Sequence, residues 1–460
     1  MASKFPPFNP DALFQHATSL HQMERLDEAA AAYAKLLELF PKQPEVLNAL
    51  GTLRLQQGRA QDGVKLLKQS LSIAPSQPMG HYNLGIELQR QGKLGEALLC
   101  YDRAIALNPR DADTHLNRGN VLKDLKRNKE ALASYDRAIA LQPDLASAYW
   151  NKALLKILAG DYEEGWRLYE WGWKSGERGS TRQFFQPLWL GEQQVAGKTL
   201  LIRAEQGLGD FIQFCRYVPM VEALGARVVL EVPASLVSLL ATLPGHFTVV
   251  EKGQPLPEFD LHCPVMSLPL ALKTTVASIP ADIPYFYVDA HKQEMWRQRL
   301  GARTKPRIGL VWSGSTTQID LNPCSKRSLP LEALQPLLRL PLEFHALQKE
   351  IRPEDAAMLA RWPQLRVHQD ELHDFSDTAA LIGEMDLVIS VCTSVAHLAG
   401  ALCRPLWVML PYSPDYRWML ERTDSPWYPT ATLFRQTAIG DWSGVAGKIA
   451  KQLLDLPFPP

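Results

Sequence analysis

Small and apolar residues return every 34 positions through the first third of the chain. Leu84, Gly85, Ala97, Tyr101, Ala104 and Pro109 are followed one period later by Gly119, Ala131, Tyr135, Ala138 and Pro143. Prolines at 41, 75, 109 and 143 keep the same interval. Small residues where two helices cross, an aromatic on the second helix and a proline behind it predict a helix–turn–helix unit repeated in series. One unit cannot bury its own apolar face, so neighbours stack into a solenoid with a concave docking groove. The first repeat, ending near Pro41, is degenerate, as terminal repeats are. The last begins near Ala146 and runs through GDYEEGWRLYEWGW, with Trp166, Tyr169, Trp171 and Trp173 on its second helix. Those rings suit either a capping helix packed on the next domain or a platform on which sugars stack.

A polar, glycine-bearing stretch at 176–198 ends this pattern. From Thr199 short apolar runs alternate with helical segments. LLIRAE, RVVLEV, FTVVE and FDLHCPV read as strands, with helices over 210–224 and at SLVSLLATL. A second series opens at RIGLVW and continues through EFHALQ, LRVHQ, DLVISV and PLWVML. Its helices are expected near Leu331–Leu338, from Pro353, from Asp377 and from Thr393. Such alternation predicts parallel sheets wound on both faces, and two series predict two lobes with a ligand at the carboxyl ends of the strands. The expected organisation is α followed by α/β: repeats over 1–175, a linker at 176–198, one lobe over 199–300 and another over 301–460.

Composition narrows the partners. Basic and acidic residues balance at 49 each in 460 residues, leaving no basic footprint for nucleic acid or an anionic membrane. No apolar run reaches membrane-spanning length, and the start lacks the pattern of a secretory signal. The six cysteines form no CxxC pair, which suggests neither a zinc site nor a redox dithiol. Scattered thiols fit a reducing cytoplasm.

Four segments carry candidate chemistry. In AEQGLGDFIQFCRYVP, Gly207 and Gly209 let the backbone approach a ligand and Asp210 opens a helix, which equally describes a plain strand-to-helix turn. GLVWSGS supplies Ser313 and Gly314 before a basic Lys326-Arg327-Ser328, an anion cradle or a solvated loop. Gln348 and Lys349 end a strand where a counter-charge for a diphosphate would stand, although lysine is also a common surface residue. Thr393 and Ser394 open a helix carrying His397, an arrangement suited to an anion or to a satisfied cap over a buried histidine.

Together and in order, QGLGDFIQFCRYVP, GLVWSGS, LQKE, HDFSDTAALIGEMDLVIS, TSVAHLAGAL and PDYRWMLERTDSPWYP resemble the tetratricopeptide-containing bacterial glycosyltransferases. The catalytic half is similar to the lipopolysaccharide heptosyltransferases and, more distantly, to the O-linked N-acetylglucosamine transferases. The resemblance covers roughly 199–445, behind an all-α tetratricopeptide solenoid. It implies a glycosyltransferase-B (GT-B) pair of Rossmann-like lobes, with an acceptor lobe first and a nucleotide-sugar donor lobe second. It casts Asp210 as general base, with Gly207, Gly209 and Gln213 in the acceptor loop. Ser313, Gly314, Arg327, Gln348, Lys349, Thr393, Ser394 and His397 fall to the donor diphosphate, and Asp374, Asp377 and Thr378 to the nucleoside. It also implies inversion by direct displacement, a nucleotide-sugar co-substrate and no metal or other cofactor; no DxD-type pair stands at a strand end. One departure matters: the family reads VDTSVAH where this chain has VCTSVAH, so Cys392 replaces a carboxylate beside the donor site.

Asn83, Asn117 and Asn151 recur at 34-residue spacing on first helices, where they form either a ladder for an extended peptide backbone or packing between repeats. The leading expectation is a transferase acting on a protein docked by the repeats, such as flagellin or another surface protein. The alternatives are an adaptor with a decayed transferase domain and a transferase for a lipid-linked saccharide.

Overall fold

The structure, a computed structural model, describes residues 9–179, 182–315, 324 and 326–457. Ser180 and Thr181 of the expected linker lie outside the described residues, as do residues 1–8. The chain divides into two compact units, Met1–Ala148 and Tyr149–Pro460.

The first unit is a series of helix pairs: α1 (Pro10–Gln22) with α2 (Leu26–Leu39), α3 (Pro44–Gln56) with α4 (Ala60–Ile73), α5 (Pro78–Arg90) with α6 (Leu94–Leu107), and α7 (Ala112–Asp124) with α8 (Asn128–Leu141). Proline opens α1, α3 and α5, where its missing N–H would have no partner anyway and its fixed φ suits the helix. Contact explains the small positions: a Cβ on Gly85 would fall 2.8 Å from the Tyr101 ring, and one on Gly119 2.5 Å from Tyr135. Both tyrosines are fully buried. The turn inside each pair needs one residue at positive φ, filled in step by Glu24, Gly58, Gly92 and Lys126.

The same step continues into the second unit as α9 (Ala146–Leu158) and α10 (Tyr162–Tyr169), so this last pair is part of the sheet-bearing body. After α11 (Gly172–Ser175) come β1 (Thr199–Arg203), α12 (Leu208–Phe214), α13 (Val218–Ala223), β2 (Arg227–Val232), α14 (Ala234–Leu240), β3 (Thr248–Glu251), β4 (Leu261–Pro264) and α15 (Leu268–Ala271). These strands form a parallel sheet in the order β3-β2-β1-β4. Next are α16 (Ala290–Leu300), β5 (Arg307–Val311), α17 (Gln335–Leu338), β6 (Glu343–Ala346), α18 (Pro353–Leu359), β7 (Leu365–Val367), α19 (Phe375–Gly383), β8 (Leu387–Val391), α20 (Ser394–Ala401), β9 (Leu406–Leu410), β10 (Ala431–Arg435) and α21 (Trp442–Leu454). The second sheet is also parallel, in the order β10-β9-β8-β5-β6-β7. Strands β5, β8 and β9 are buried along their whole length, which is why they read as continuous apolar runs. In both sheets the winding reverses beside the first strand, β1 or β5, and there the following loops splay apart to leave a crevice.

The single helix expected over 210–224 is two short helices joined by a 3-10 turn at Cys215–Tyr217, because Pro219 cannot donate to a continuous ladder. The helix near Leu331–Leu338 breaks in the same way at Pro336. No expectation covered α16, β10 or α21; α16 buries only Trp296 and Leu300, too few apolar positions to show a period.

Two of these features bear directly on stability. Glu24 holds a left-handed conformation that costs a residue with a Cβ roughly 1–2 kcal/mol. Glu24→Gly is expected to raise the thermal midpoint of the chain, and an unchanged or lower midpoint would contradict this. In the six-stranded sheet, the buried His345 Nδ1 lies 3.0 Å from His368 Nε2 and His345 Nε2 3.1 Å from Glu343 Oε1. Burial, the neighbouring His368 and two arginines push His345 down to about 3, and burial also lowers His368. The unfolded chain takes up protons below about pH 6.5, whereas folded His345 resists them until about pH 3 and folded His368 is also held down. Unfolding therefore binds protons in that window, and stability falls as pH is lowered through it. Urea midpoints measured between pH 7.5 and 4.5 should decline, less steeply in His345→Gln than in the wild type.

Candidate functional site

A cavity of about 920 Å3 opens in the second unit where the carboxyl ends of both sheets meet. Ligand pockets run to roughly 300–1,000 Å3, so this one has room for a large ligand or for two reactants. The loop after β1 supplies Gly207, Gly209 and Asp210. The six-stranded lobe supplies Ser313, Gly314 and Arg327 after β5, Gln348 and Lys349 after β6, Asp374 and Thr378 at α19, and Thr393, Ser394 and His397 at α20. Gln213, Asp377 and the asparagines at 83, 117 and 151 do not line it.

The glycine loop is held closely. Asp210 Oδ2 accepts from the Gly207 N–H at 2.7 Å, and Oδ1 accepts from Arg417 Nη2. Gly209 lies against the start of α20: a Cβ there would fall 3.0 Å from His397 Cδ2 and 3.1 Å from Ser394 Cα. Only glycine lets the first lobe's loop come so near the second lobe's helix. Gln213 is buried behind the loop, its Oε1 accepting from Arg417 Nε at 2.7 Å.

Thr393 opens α20 without a side-chain cap, its hydroxyl 3.2 Å from that of Ser390. With no Thr393 cap bond, the first-turn N–H groups bring the positive end of the helix dipole to the cavity. His397 stacks on Trp418 and meets the Tyr428 hydroxyl through Nδ1 at 3.0 Å. Burial, with Arg417, Arg216 and Arg327 nearby, pushes it well below the ordinary histidine range, so the imidazole is neutral. Cys392 lines the same wall; burial and the Asp415 charge push its thiol up to about 11, leaving it protonated at neutral pH.

Around β5 the polar groups divide into those that hold the loop and those that face the cavity. Gln348 is 5 % exposed and spent on the backbone. Its Oε1 accepts from the Trp312 and Ser313 N–H groups at 3.0 and 3.3 Å, and its Nε2 donates to Ser313 Oγ and the Glu350 carbonyl. Arg327 packs on Gly314 and reaches the Cys392 carbonyl at 3.4 Å. Lys349 is exposed, its Nζ 3.5 Å from the His373 carbonyl. Asp374 caps α19. Burial raises its pKa, but hydrogen bonds from Ser376, Ser238, the Asp377 N–H and Lys292 outweigh burial and hold it down at about 2. Asp377 closes the capping box, accepting from the His373 and Asp374 N–H groups, and also pairs with Lys292 at 2.7 Å.

Several residues that sequence reasoning passed over complete the wall. Arg417, Asp415 and Tyr416 lie within PDYRWMLERTDSPWYP, a segment whose resemblance was the available signal. Arg178, fully buried, donates to Glu170, Glu205 and Ser267, tying the segment after α11 to the loop after β1. Trp150, Leu154 and Tyr169 bring the last helix pair to the cavity, and Tyr169 donates to Gln206 at 2.8 Å. Trp166 packs against Phe214 and Tyr416 and is 2 % exposed, as a capping helix requires and a sugar platform does not. In the first unit, Asn83 donates to Thr52 and Asn117 to Tyr82, each on the preceding first helix, so both amides link repeats. Asn151 is half-buried on α9 and also engaged. Among the described residues no helix is long and apolar enough to cross a membrane, and no three His, Cys, Asp or Glu side chains group to hold a metal.

A tetratricopeptide-repeat family model matches residues 14–78, 82–146 and 116–165. The helix pairs of the N-terminal solenoid are tetratricopeptide repeats. The chain is 29% identical over 332 residues to Protein FlbA of Caulobacter vibrioides, a match that takes in 66% of this chain and 54% of that protein. The chain thus spans about half the length of that relative, and the match is longer than the repeat region. Among solved structures, MamA is 24% identical with a TM-score of 0.33, covering 35% of this chain and 95% of MamA. TTC0263, a TPR protein of Thermus thermophilus, is 27% identical with a TM-score of 0.31, covering 37% and 91%.

Replacing Gln348 by leucine would leave the buried N–H groups of Trp312 and Ser313 without their acceptor, at roughly 1–3 kcal/mol each. Gln348→Leu should lower the unfolding free energy by about 2–6 kcal/mol for the two groups together and speed proteolysis near Ser313. Wild-type stability in the variant would show that the latch is dispensable.

Proposed function

We propose that the second unit is a glycosyltransferase of the two-lobed GT-B type, taking a sugar from a nucleotide-diphosphate donor, and that the repeats dock its protein acceptor. One observation carries the reading. Six segments that resemble the family, scattered from Gln206 to Arg417 in sequence, contribute residues to one cavity at the carboxyl ends of two parallel sheets.

In this reading the donor diphosphate meets the uncapped start of α20, Arg327 and Lys349. These cationic and dipolar groups stabilise the negative charge that grows on the leaving nucleotide as the bond from the sugar C1 to phosphate breaks. The acceptor hydroxyl attacks C1 from the opposite face, inverting it, and gives its proton to Asp210. Asp210 keeps lone pairs for this although each oxygen already accepts one hydrogen bond. Neutral His397 can bond the donor without adding charge. Thr378 and Asp374 fall to the nucleoside; Asp377 and Gln348 act indirectly, by holding the loops. No cofactor beyond the nucleotide sugar enters this scheme.

Cys392 favours a second reading, a binding-only adaptor, because a protonated thiol cannot make the charge-assisted hydrogen bonds of a carboxylate. Calorimetry against a panel of nucleotides and nucleotide sugars separates the two. The transferase reading expects one diphosphate ligand to bind, about tenfold more weakly in Lys349→Ala, the loss of one charge-assisted contact. Silence across the panel gives the lead to the adaptor.

A further inference from the structure

Arg417 bridges both lobes at the cavity. Its guanidinium is buried, with 7 % of the side chain exposed. Nη2 donates to Asp210 Oδ1, Nε to Gln213 Oε1 at 2.7 Å, and Nη1 to both oxygens of Asp415 at 3.0 Å. Asp210 and Gln213 belong to α12 in the first lobe, while Arg417 and Asp415 belong to the loop after β9 in the second. The planar fork fixes the direction of every one of these bonds, which a lysine ammonium would not. With Oδ2 anchored on the Gly207 N–H, both Asp210 oxygens are pinned and the carboxylate has one orientation.

Resting on the transferase reading, we propose that Arg417 is a positioning residue for proton transfer: it aims the Asp210 carboxylate, and Asp415 and Gln213 aim Arg417. Two features separate this role from simple stapling. The pair stands in the cavity wall beside the uncapped start of α20, with 20 % of the Asp210 side chain exposed. It also makes the orientation of a first-lobe carboxylate depend on a second-lobe loop, so Asp210 is aimed only when that loop is seated on α12.

The test uses the full chain and compares Arg417→Gln, Arg417→Lys, Asp210→Asn and the double variant Arg417→Gln/Asp210→Asn. Sugar transfer is followed by product mass, and nucleotide-diphosphate binding by calorimetry. Arg417→Gln is expected to lower kcat by about 100-fold, the low end of what an oriented acid or base contributes. The donor KM and the nucleotide affinity should stay within about threefold, because Arg327, Lys349 and α20 hold the donor. Arg417→Lys should recover part of kcat, and the double variant should be no slower than Asp210→Asn, since residues acting as one unit do not multiply their losses. Unchanged kcat in Arg417→Gln, or losses that multiply in the double variant, overturn the proposal. A fall in nucleotide affinity parallel to the fall in kcat would mark a merely structural staple and overturn it too. Failure of the underlying reading looks different: the wild type itself then binds no nucleotide and transfers nothing, and the proposal falls with it.

Discussion

Three buried guanidinium groups hold the second unit together, and the cavity depends on them. Arg178 joins Glu170, Glu205 and Ser267. Arg216 donates to the carbonyls of Gln213, Pro280 and Trp427 and to the Tyr285 hydroxyl, with the rings of Tyr285 and Tyr428 against it. Arg417 joins Asp210, Gln213 and Asp415. A charge removed from water costs several kcal/mol, and acceptors in good geometry offset that cost. Each arginine therefore requires chain segments far apart in sequence to be in place at once. Their common meeting point is the stretch from Glu205 to Arg216, so the loop after β1 cannot be placed without the helix pair before it and the lobe after it.

The cavity these staples frame is electrically uneven by construction. Burial strips His397 of its proton and keeps the Cys392 thiol protonated, so neither contributes charge at neutral pH. Asp374 stays ionised but faces Lys292. Arg327, Lys349 and the dipole of α20 remain on one wall, and Asp210 is balanced by Arg417 on the other.

Much of this was legible in the sequence wherever a local rule decides the outcome. The 34-residue step emerges from tyrosines packing into glycine gaps, a contact within one repeat, and it marks every helix pair to within a few residues. Strand–helix alternation likewise announced parallel sheets, because strands buried on both faces cannot hide among polar residues. What stayed hidden are contacts that no local pattern encodes. Pro219 and Pro336 break helices whose apolar spacing runs on past them. Gln348, placed by its strand end, and Asp377, placed by resemblance, also satisfy backbone N–H groups, and only the fold shows which N–H groups need a partner. Arg417 and Arg178 carry no local sign of burial, which appears only when the segments they bridge are brought together.

The division of the chain at Ala148 has a consequence for how such a protein changes over generations. The last helix pair carries Trp150, Leu154 and Tyr169 into the cavity wall and travels with the sheets, while everything before it keeps a uniform 34-residue step. Recombination that adds or deletes whole repeats upstream of that point alters the length of the docking surface and leaves every cavity residue untouched. Recombination at the polar stretch of 176–198 would instead strip Trp166 and Tyr169 from their partners. Homologues that share the cavity are thus free to differ in repeat number, and partner choice can drift while the cavity stands still.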